Sequence, residues 1–214
     1  MGKFTDLLAG QKILEKRQSK FNGKIKVIRN LAFGTHIQAG GITQSGGIVE
    51  NIWKDTLKKI VNCPPAGRAG KLKIDNCLIL GLGGGTAAKY VRLLWPNAKV
   101  TGVDIDPIMV ELGNKYLGLD KVNVDIKITD AYGFNSSGYD LVIVDLYNGD
   151  QFPGKFEDDK FLKRLTKNKL VIFNRLYFGD KRSIAVKFGN RLQKIFPDVE
   201  WFYPQANLMF ICSK

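Results

Sequence analysis

The chain has 214 residues, enough for one large domain or a main domain with a small appendage, and its 44% hydrophobic and 25% charged residues are ordinary for a globular protein. No apolar run approaches the ~20 residues of a membrane helix, the first residues carry no signal-peptide core, and Asp6 breaks the myristoylation pattern, so a cytoplasmic protein with no membrane partner is expected. The formal charge of +13 raises the prior for an anionic partner, but the lysines and arginines are spread along the chain with no basic arm, and nucleic-acid binding is not the favoured reading.

In chain order, Phe4, Leu7, Leu8, Ile13 and Leu14 suggest a short amphipathic helix within residues 3–20. KIKVIRN and FGTHIQ, between Phe21 and Gln38, read as two strands of a hairpin. The single histidine, His36, falls there and is expected to be a polar hairpin residue. From Ile48 to Val61 the apolar residues follow a helical period that sets Trp53 on or near the buried face. Cys63-Pro64-Pro65-Ala66-Gly67 breaks that helix. The division drawn there gives a module of helix, β-hairpin and helix at 1–66 and a Rossmann-like domain at 67–214.

From Cys77 onward, strands and helices alternate. Strands are expected at Cys77–Leu80, Lys99–Asp104, Val122–Ile128, Leu141–Asp145 and Leu170–Phe173. Helices are expected at Thr86–Leu94, Pro107–Tyr116, Asp158–Leu165 and Lys181–Ile195. Runs such as CLIL and LVIV suit a parallel sheet covered on both faces. Val199–Tyr203 and Asn207–Cys212 flank a turn and read as a terminal antiparallel hairpin. The fold class is therefore α/β: a doubly wound, mostly parallel sheet with an antiparallel C-terminal hairpin and a small N-terminal hairpin and helix module. Cys77 and Cys212 sit in apolar runs and are expected in the core. One histidine and three scattered cysteines make no metal set, so no metal is expected.

The segment from Cys77 to Asp106 carries the chemistry. Gly81, Gly83 and Gly85 follow a strand and open a helix, where backbone must turn tightly and approach a ligand. Asp104 ends the next strand, roughly 20 residues on, the offset at which an acid reaches a ribose diol. Further acids follow later strands: Asp106 beside Asp104, then Asp130, then Asp145 with Asn148 and Asp150 beyond. In an open α/β sheet those strand ends line the ligand crevice. Asp106 before Pro107 also reads as a helix N-cap.

These residues resemble the class I methyltransferase fold and, within it, the spermidine synthase (polyamine aminopropyltransferase) family, from about Phe21 to the C-terminus. GLGGGT at 81–86 is similar to the nucleoside loop. Asp104, with Ile105 beside it in GVDIDP, resembles the acid that binds the ribose hydroxyls, and Asp130-Ala131 the pair at the adenine edge. GGITQSGGIVENIW is similar to the family's N-terminal module, with Gln44 on its cofactor-side glutamine and Trp53 where a tyrosine is usual. YDLVIVDLYNGDQFP resembles the segment of the catalytic aspartate, which maps to Asp145, with Tyr147 near it. Asn207 matches an asparagine before the final strand. Two positions depart from the pattern. Gly84 stands where the nucleoside loop has an acid, and Asn148 stands where the catalytic segment has a second acid.

The resemblance implies a transferase that uses S-adenosylmethionine or its decarboxylated form. Asp145 would orient an amine acceptor and take its proton, with Tyr147 assisting through its hydroxyl or covering the site. It also implies a homodimer. Two other readings stay open: a methyltransferase of unknown acceptor, which the loss of acid at Gly84 favours, and a non-catalytic nucleoside- or RNA-binding protein, which the basic charge favours.

Overall fold

This computed structural model describes residues 10–62 and 72–214. The division at 66/67, Cys63 and the first part of the expected N-terminal helix lie outside the described residues. The rest of that helix is a strand. Gln11–Ser19 (β1) pairs antiparallel with Gly23–Asn30 (β2). The adjacent Ile13 and Leu14 lie at a register shift between Ile13 and Glu15, and this irregularity mimics helical spacing in the sequence. Beyond it the period is two: Lys16 and Gln18 are exposed, while Glu15, Arg17 and Ser19 turn inward. Gly34–Ala39 (β3) and Ile42–Gly46 (β4) complete a four-stranded sheet in the order β1-β2-β3-β4, wider than a single hairpin. His36 lies on β3 and is buried, with its ring nitrogens 3.3 Å from Gly34 O and from Gln38 Nε2.

The main sheet has seven strands: β5 (Asn76–Leu80), β6 (Lys99–Asp104), β7 (Asp125–Ile128), β8 (Leu141–Val144), β9 (Leu170–Leu176), β10 (Asp198–Phe202) and β11 (Asn207–Ser213). Their order is β10-β11-β9-β8-β5-β6-β7, with β9, β8, β5, β6 and β7 parallel and the terminal hairpin antiparallel. The strand expected from Val122 begins only at Asp125, because residues 119–121 form a 3₁₀ turn that takes up the Val122 N–H. Alternation divides the core. Cys77, Ile79, Leu141, Ile143 and Ile172 face one side, where α1 (Ile48–Asn62) and α2 (Thr86–Leu94) pack through Trp53, Leu57, Ala88 and Val91. Leu78, Leu80, Val142, Val144 and Phe173 face the other, beneath α4 (Asp159–Leu165) and α5 (Lys181–Leu192). Cys77 and Cys212 are both buried, as expected. No helix among the described residues is long and apolar enough to cross a membrane.

The small sheet is tied to α3 (Pro107–Leu117). Ile25, Val27, Ile37 and Ala39 pack on Met109 and Leu112. Around that apolar contact, Arg17 donates to both oxygens of Glu111 at 2.8 and 3.0 Å. Glu15 accepts from Lys115 Nζ at 2.7 Å and from the Tyr116 hydroxyl at 2.8 Å. Those donors, with Arg17, hold the Glu15 carboxyl down at about 2. Asp106 caps α3 by accepting the Ile108 N–H, and its other oxygen accepts from Ser19 and Asn22 of the β1–β2 turn. One buried carboxylate thus joins the cap of α3 to the small sheet.

The glycine loop is packed from behind by α3. A Cβ on Gly113 would lie 2.6 Å from the Gly84 Cα, backbone against backbone. Gly113→Ala is expected to lower stability by about 1–3 kcal/mol, the range for overpacking, seen in thermal unfolding as a Tm drop of several degrees. An unchanged Tm would mean that the loop yields at no cost.

Candidate active site

Strand order reverses direction at β5, whose neighbours are β6 on one side and β8 on the other. That switch point opens a crevice at the carboxyl ends of the strands. The glycine loop leaves β5 there and Asp145 leaves β8. The two are pressed together: a Cβ on Gly81 would lie 2.0 Å from the Asp145 carbonyl oxygen, and Gly81 has φ +89°. Only glycine meets both conditions.

The crevice encloses roughly 900 Å³ of empty space, counting its mouth, within the range of nucleotide-sized ligands. Gln44, Gly81, Gly83, Asp104, Ile105, Asp130, Ala131, Asp145 and Tyr147 all line it, as do Trp53 and Asn148. Gly85 does not. It begins α2 in a left-handed conformation, and its missing side chain makes room for Leu119, 2.5 Å from where a Cβ would be. Gly84 also turns away: a side chain there would meet Leu117, Ser45 and Ile37 within about 3 Å. An acid at position 84 has no space in this chain.

Each carboxylate has its own environment. Asp104 accepts the Gly83 N–H at 2.6 Å and the Asp106 N–H at 2.8 Å, which fixes both oxygens at the crevice floor. Burial nevertheless pushes its pKa up, with those N–H donors opposing the rise. Asp130 accepts the Tyr132 N–H at 2.9 Å and Lys155 Nζ at 2.5 Å. Burial would raise its pKa, but the Lys155 and Tyr132 bonds outweigh it and the net direction is down. Asp145 is pushed up to about 6, mainly by burial, with the Asp104 charge adding to the rise. Hydrogen bonds from Asn174 and the Trp53 indole work against it. Asn174 Nδ2 donates to Asp145 Oδ1 at 2.8 Å, and Asn207 Nδ2 donates to Asn174 Oδ1 at 2.7 Å. This relay fixes which way the Asn174 amide points, and so presents a donor to the carboxylate. The Tyr147 hydroxyl donates to Asn174 O at 3.3 Å and accepts the Leu176 N–H at 2.9 Å, so its proton is engaged with β9. Burial raises its pKa well above the ordinary phenol range.

Asn174, Lys155, Ser45 and Asn22 are site residues that sequence reasoning missed. Asn174 had a signal: Asn174-Arg175 interrupts the apolar strand LVIF. Ser45 Oγ accepts the Gly84 N–H at 2.8 Å, and Asn22 joins the crevice from the β1–β2 turn. Among the described residues no group of three or more His, Cys, Asp or Glu side chains is arranged to hold a metal ion.

No protein-family model matches the chain. A polyamine aminopropyltransferase of Oceanobacillus iheyensis is 41% identical over 83 residues, 34% of this chain and 16% of that protein. The eEF1A lysine and N-terminal methyltransferase homolog of Drosophila melanogaster is 30% identical over 139 residues, 57% of this chain and 20% of that protein. The matched part is thus a fifth or less of either relative. Among solved structures, spermidine synthase from Thermotoga maritima superposes with a TM-score of 0.70 at 17% identity, covering 94% of this chain and 72% of that one. Human methyltransferase-like protein 13, in complex with SAH, gives 0.56 at 19% identity, over 78% of this chain and 81% of that one. The chain has the fold these structures share, and its sequence is similar to polyamine aminopropyltransferases.

Because the folded Asp145 carboxyl binds its proton more tightly than an unfolded aspartate, its contribution to stability is present below about pH 4 and lost as pH rises through about 6. Carboxyl NMR is expected to show a midpoint near 6 for Asp145, and Asn174→Leu to raise it further by removing a donor. A midpoint near 4 would mean that water reaches the carboxylate freely.

Proposed function

We propose that this chain is a transferase that binds a sulfonium nucleoside of the S-adenosylmethionine type and moves an alkyl group, aminopropyl in the first instance, to an amine. One observation carries the reading. Asp145 lines the nucleoside-sized crevice and also a second cavity beside it, so one acidic residue borders both. Gln44 and Tyr147 share that position.

The crevice residues fit the nucleoside. Asp104, with both oxygens oriented by backbone N–H groups, keeps lone pairs for a ribose diol. Asp130 and Ala131 would meet the base edge, with Ile105 and Met109 supplying apolar contact. The bound sulfonium would supply an electrophilic carbon and leave as a neutral thioether. Asp145 would hold the acceptor ammonium and take the proton that nitrogen must lose before its lone pair can attack. A base near pKa 6 is ionised at neutral pH and still able to accept that proton. Tyr147, its hydroxyl bound to β9, would serve as a wall of the site. The resemblance read from the sequence supports a homodimer for this activity, and the composition supports a cytoplasmic location.

The loop supports the decarboxylated donor. The N–H groups of Gly81, Leu82, Gly83, Gly84 and Gly85 are all taken by protein acceptors: Val103 O twice, Asp104, Ser45 and Leu82 O. The loop therefore offers no free donor to a donor-substrate carboxylate. A second reading, methyl transfer from S-adenosylmethionine itself, draws on the lack of space for an acid at Gly84, which removes a partner for the aminopropyl amine. Calorimetry with both nucleosides separates the two; tighter binding of the carboxylated form would favour methyl transfer.

Asp104→Ala is expected to weaken methylthioadenosine binding by about 1.5–3 kcal/mol, the scale of charge-assisted hydrogen bonds; an unchanged Kd would remove Asp104 from the site. Asp145→Asn is expected to abolish turnover while nucleoside binding survives. Near-normal turnover in that variant would refute the role given to the carboxylate.

A further inference from the structure

The cavity on the far side of Asp145 has its own chemistry. It encloses about 800 Å³, counting its mouth, between β4, the start of α1, the end of β9 and the turn before β11. Ile48, Val49 and Ile52 form one wall, and Leu176 and Phe178 the other. Phe178 is 38% exposed and marks the mouth. The remaining polar groups are neutral: amides of Gln44, Asn174, Gln205 and Asn207, and the hydroxyls of Thr43 and Tyr147. Among the described lining residues Asp145 is the sole carboxylate, and no lysine, arginine or histidine accompanies it.

We propose that the acceptor is a primary monoamine on an apolar stem, and that the cavity selects against short diamines. This rests on the transferase reading above. One ammonium finds one carboxylate at the inner end, and methylenes beyond it lie on isoleucine, valine, leucine and phenylalanine. A diamine of four or five carbons brings a second ammonium to those same apolar walls. There it loses water and gains no counter-charge, which is the costly arrangement for a buried ion. Neutral amides can solvate that second charge only in part. The chemistry fits a small alkylamine and equally the side chain of a lysine within a peptide, since both are a charged tip on an aliphatic stem.

The test is calorimetry on the full chain, in four titrations. Methylthioadenosine alone comes first. With that nucleoside saturating, n-butylamine, 1,4-diaminobutane and Nα-acetyl-lysine methylamide are titrated at fixed ionic strength. Both monoamine probes are compared with the diamine, and the better of the two identifies the source of the stem. The expected result is binding of methylthioadenosine and a preference for a monoamine of at least about tenfold over the diamine. In Phe178→Glu, which sets a second carboxylate at the mouth, that preference is expected to shrink by about tenfold. Equal or tighter binding of the diamine by the unaltered chain overturns the proposal, as does failure of all three amines. A preference unchanged in Phe178→Glu also overturns it, because the discrimination would then come from the overall +13 charge. Absence of methylthioadenosine binding overturns the transferase reading itself, and the inference with it.

Discussion

Contact between bare backbones governs this molecule. Gly81 lies against the carbonyl of Asp145, and Gly84 lies against Gly113 of α3. A side chain on Gly81 would displace the end of β8, and one on Gly113 would displace the glycine loop. The end of β5, the end of β8 and the middle of α3 are therefore fixed relative to one another. The proposed ribose acid and the proposed catalytic carboxylate derive their separation from that fit. Ser45 and Thr86 extend it to the small sheet, because Ser45 accepts the Gly84 N–H and Thr86 accepts the Gly46 N–H.

A second layer of order surrounds Asp145. The asparagines of β9 and β11 pass orientation inward, one to the next, until a donor reaches the carboxylate. Next to Asn174 on the same strand, the buried Arg175 guanidinium lies 4.2 Å from the Phe152 ring and 4.5 Å from the Phe188 ring, and it donates to Glu157 at 2.7 Å. Phe152 and Glu157 belong to the loop after β8, and Phe188 to α5. This sandwich fastens the loop that carries Tyr147 and Asn148 to the strand that carries Asn174. A planar cation stacked between rings and paired at its edge is a role lysine does not fill.

The central strands β5, β8 and β9 were legible because both of their faces are buried, which leaves continuous apolar runs bounded by glycine, proline and aspartate. The helix at Thr86–Leu94 and the strand at Lys99–Asp104 match expectation in both bounds. The N-terminus was misread because its sheet is half exposed and irregular at Ile13 and Leu14, so its period of two is interrupted where the apolar residues fall. Strand-end acids were visible as a pattern, and the crevice gathers Asp104, Asp130 and Asp145. Gly85 looked like a ligand-facing glycine, yet it serves Leu119, because loop spacing does not reveal which way a residue faces. Lys155 depends on a contact 25 residues away in sequence, beyond the reach of any local pattern, and the polar break at Asn174 does not name the partner 29 residues away that gives it a role.

The pairing of β1 with β2 sets Lys16 directly opposite Lys26 and Lys12 directly opposite Arg29. Like charges across an antiparallel pair work against it, and this hairpin stands on its inward residues and their hold on α3. Among the described residues β1 pairs only with β2, which leaves it the outer strand. Its cations repel any identical strand brought alongside, the usual defence against unwanted sheet growth. Lys16 and Lys26 stand on the face of this sheet turned away from α3, so that face, like the edge of β1, is left to water and to dissolved anions.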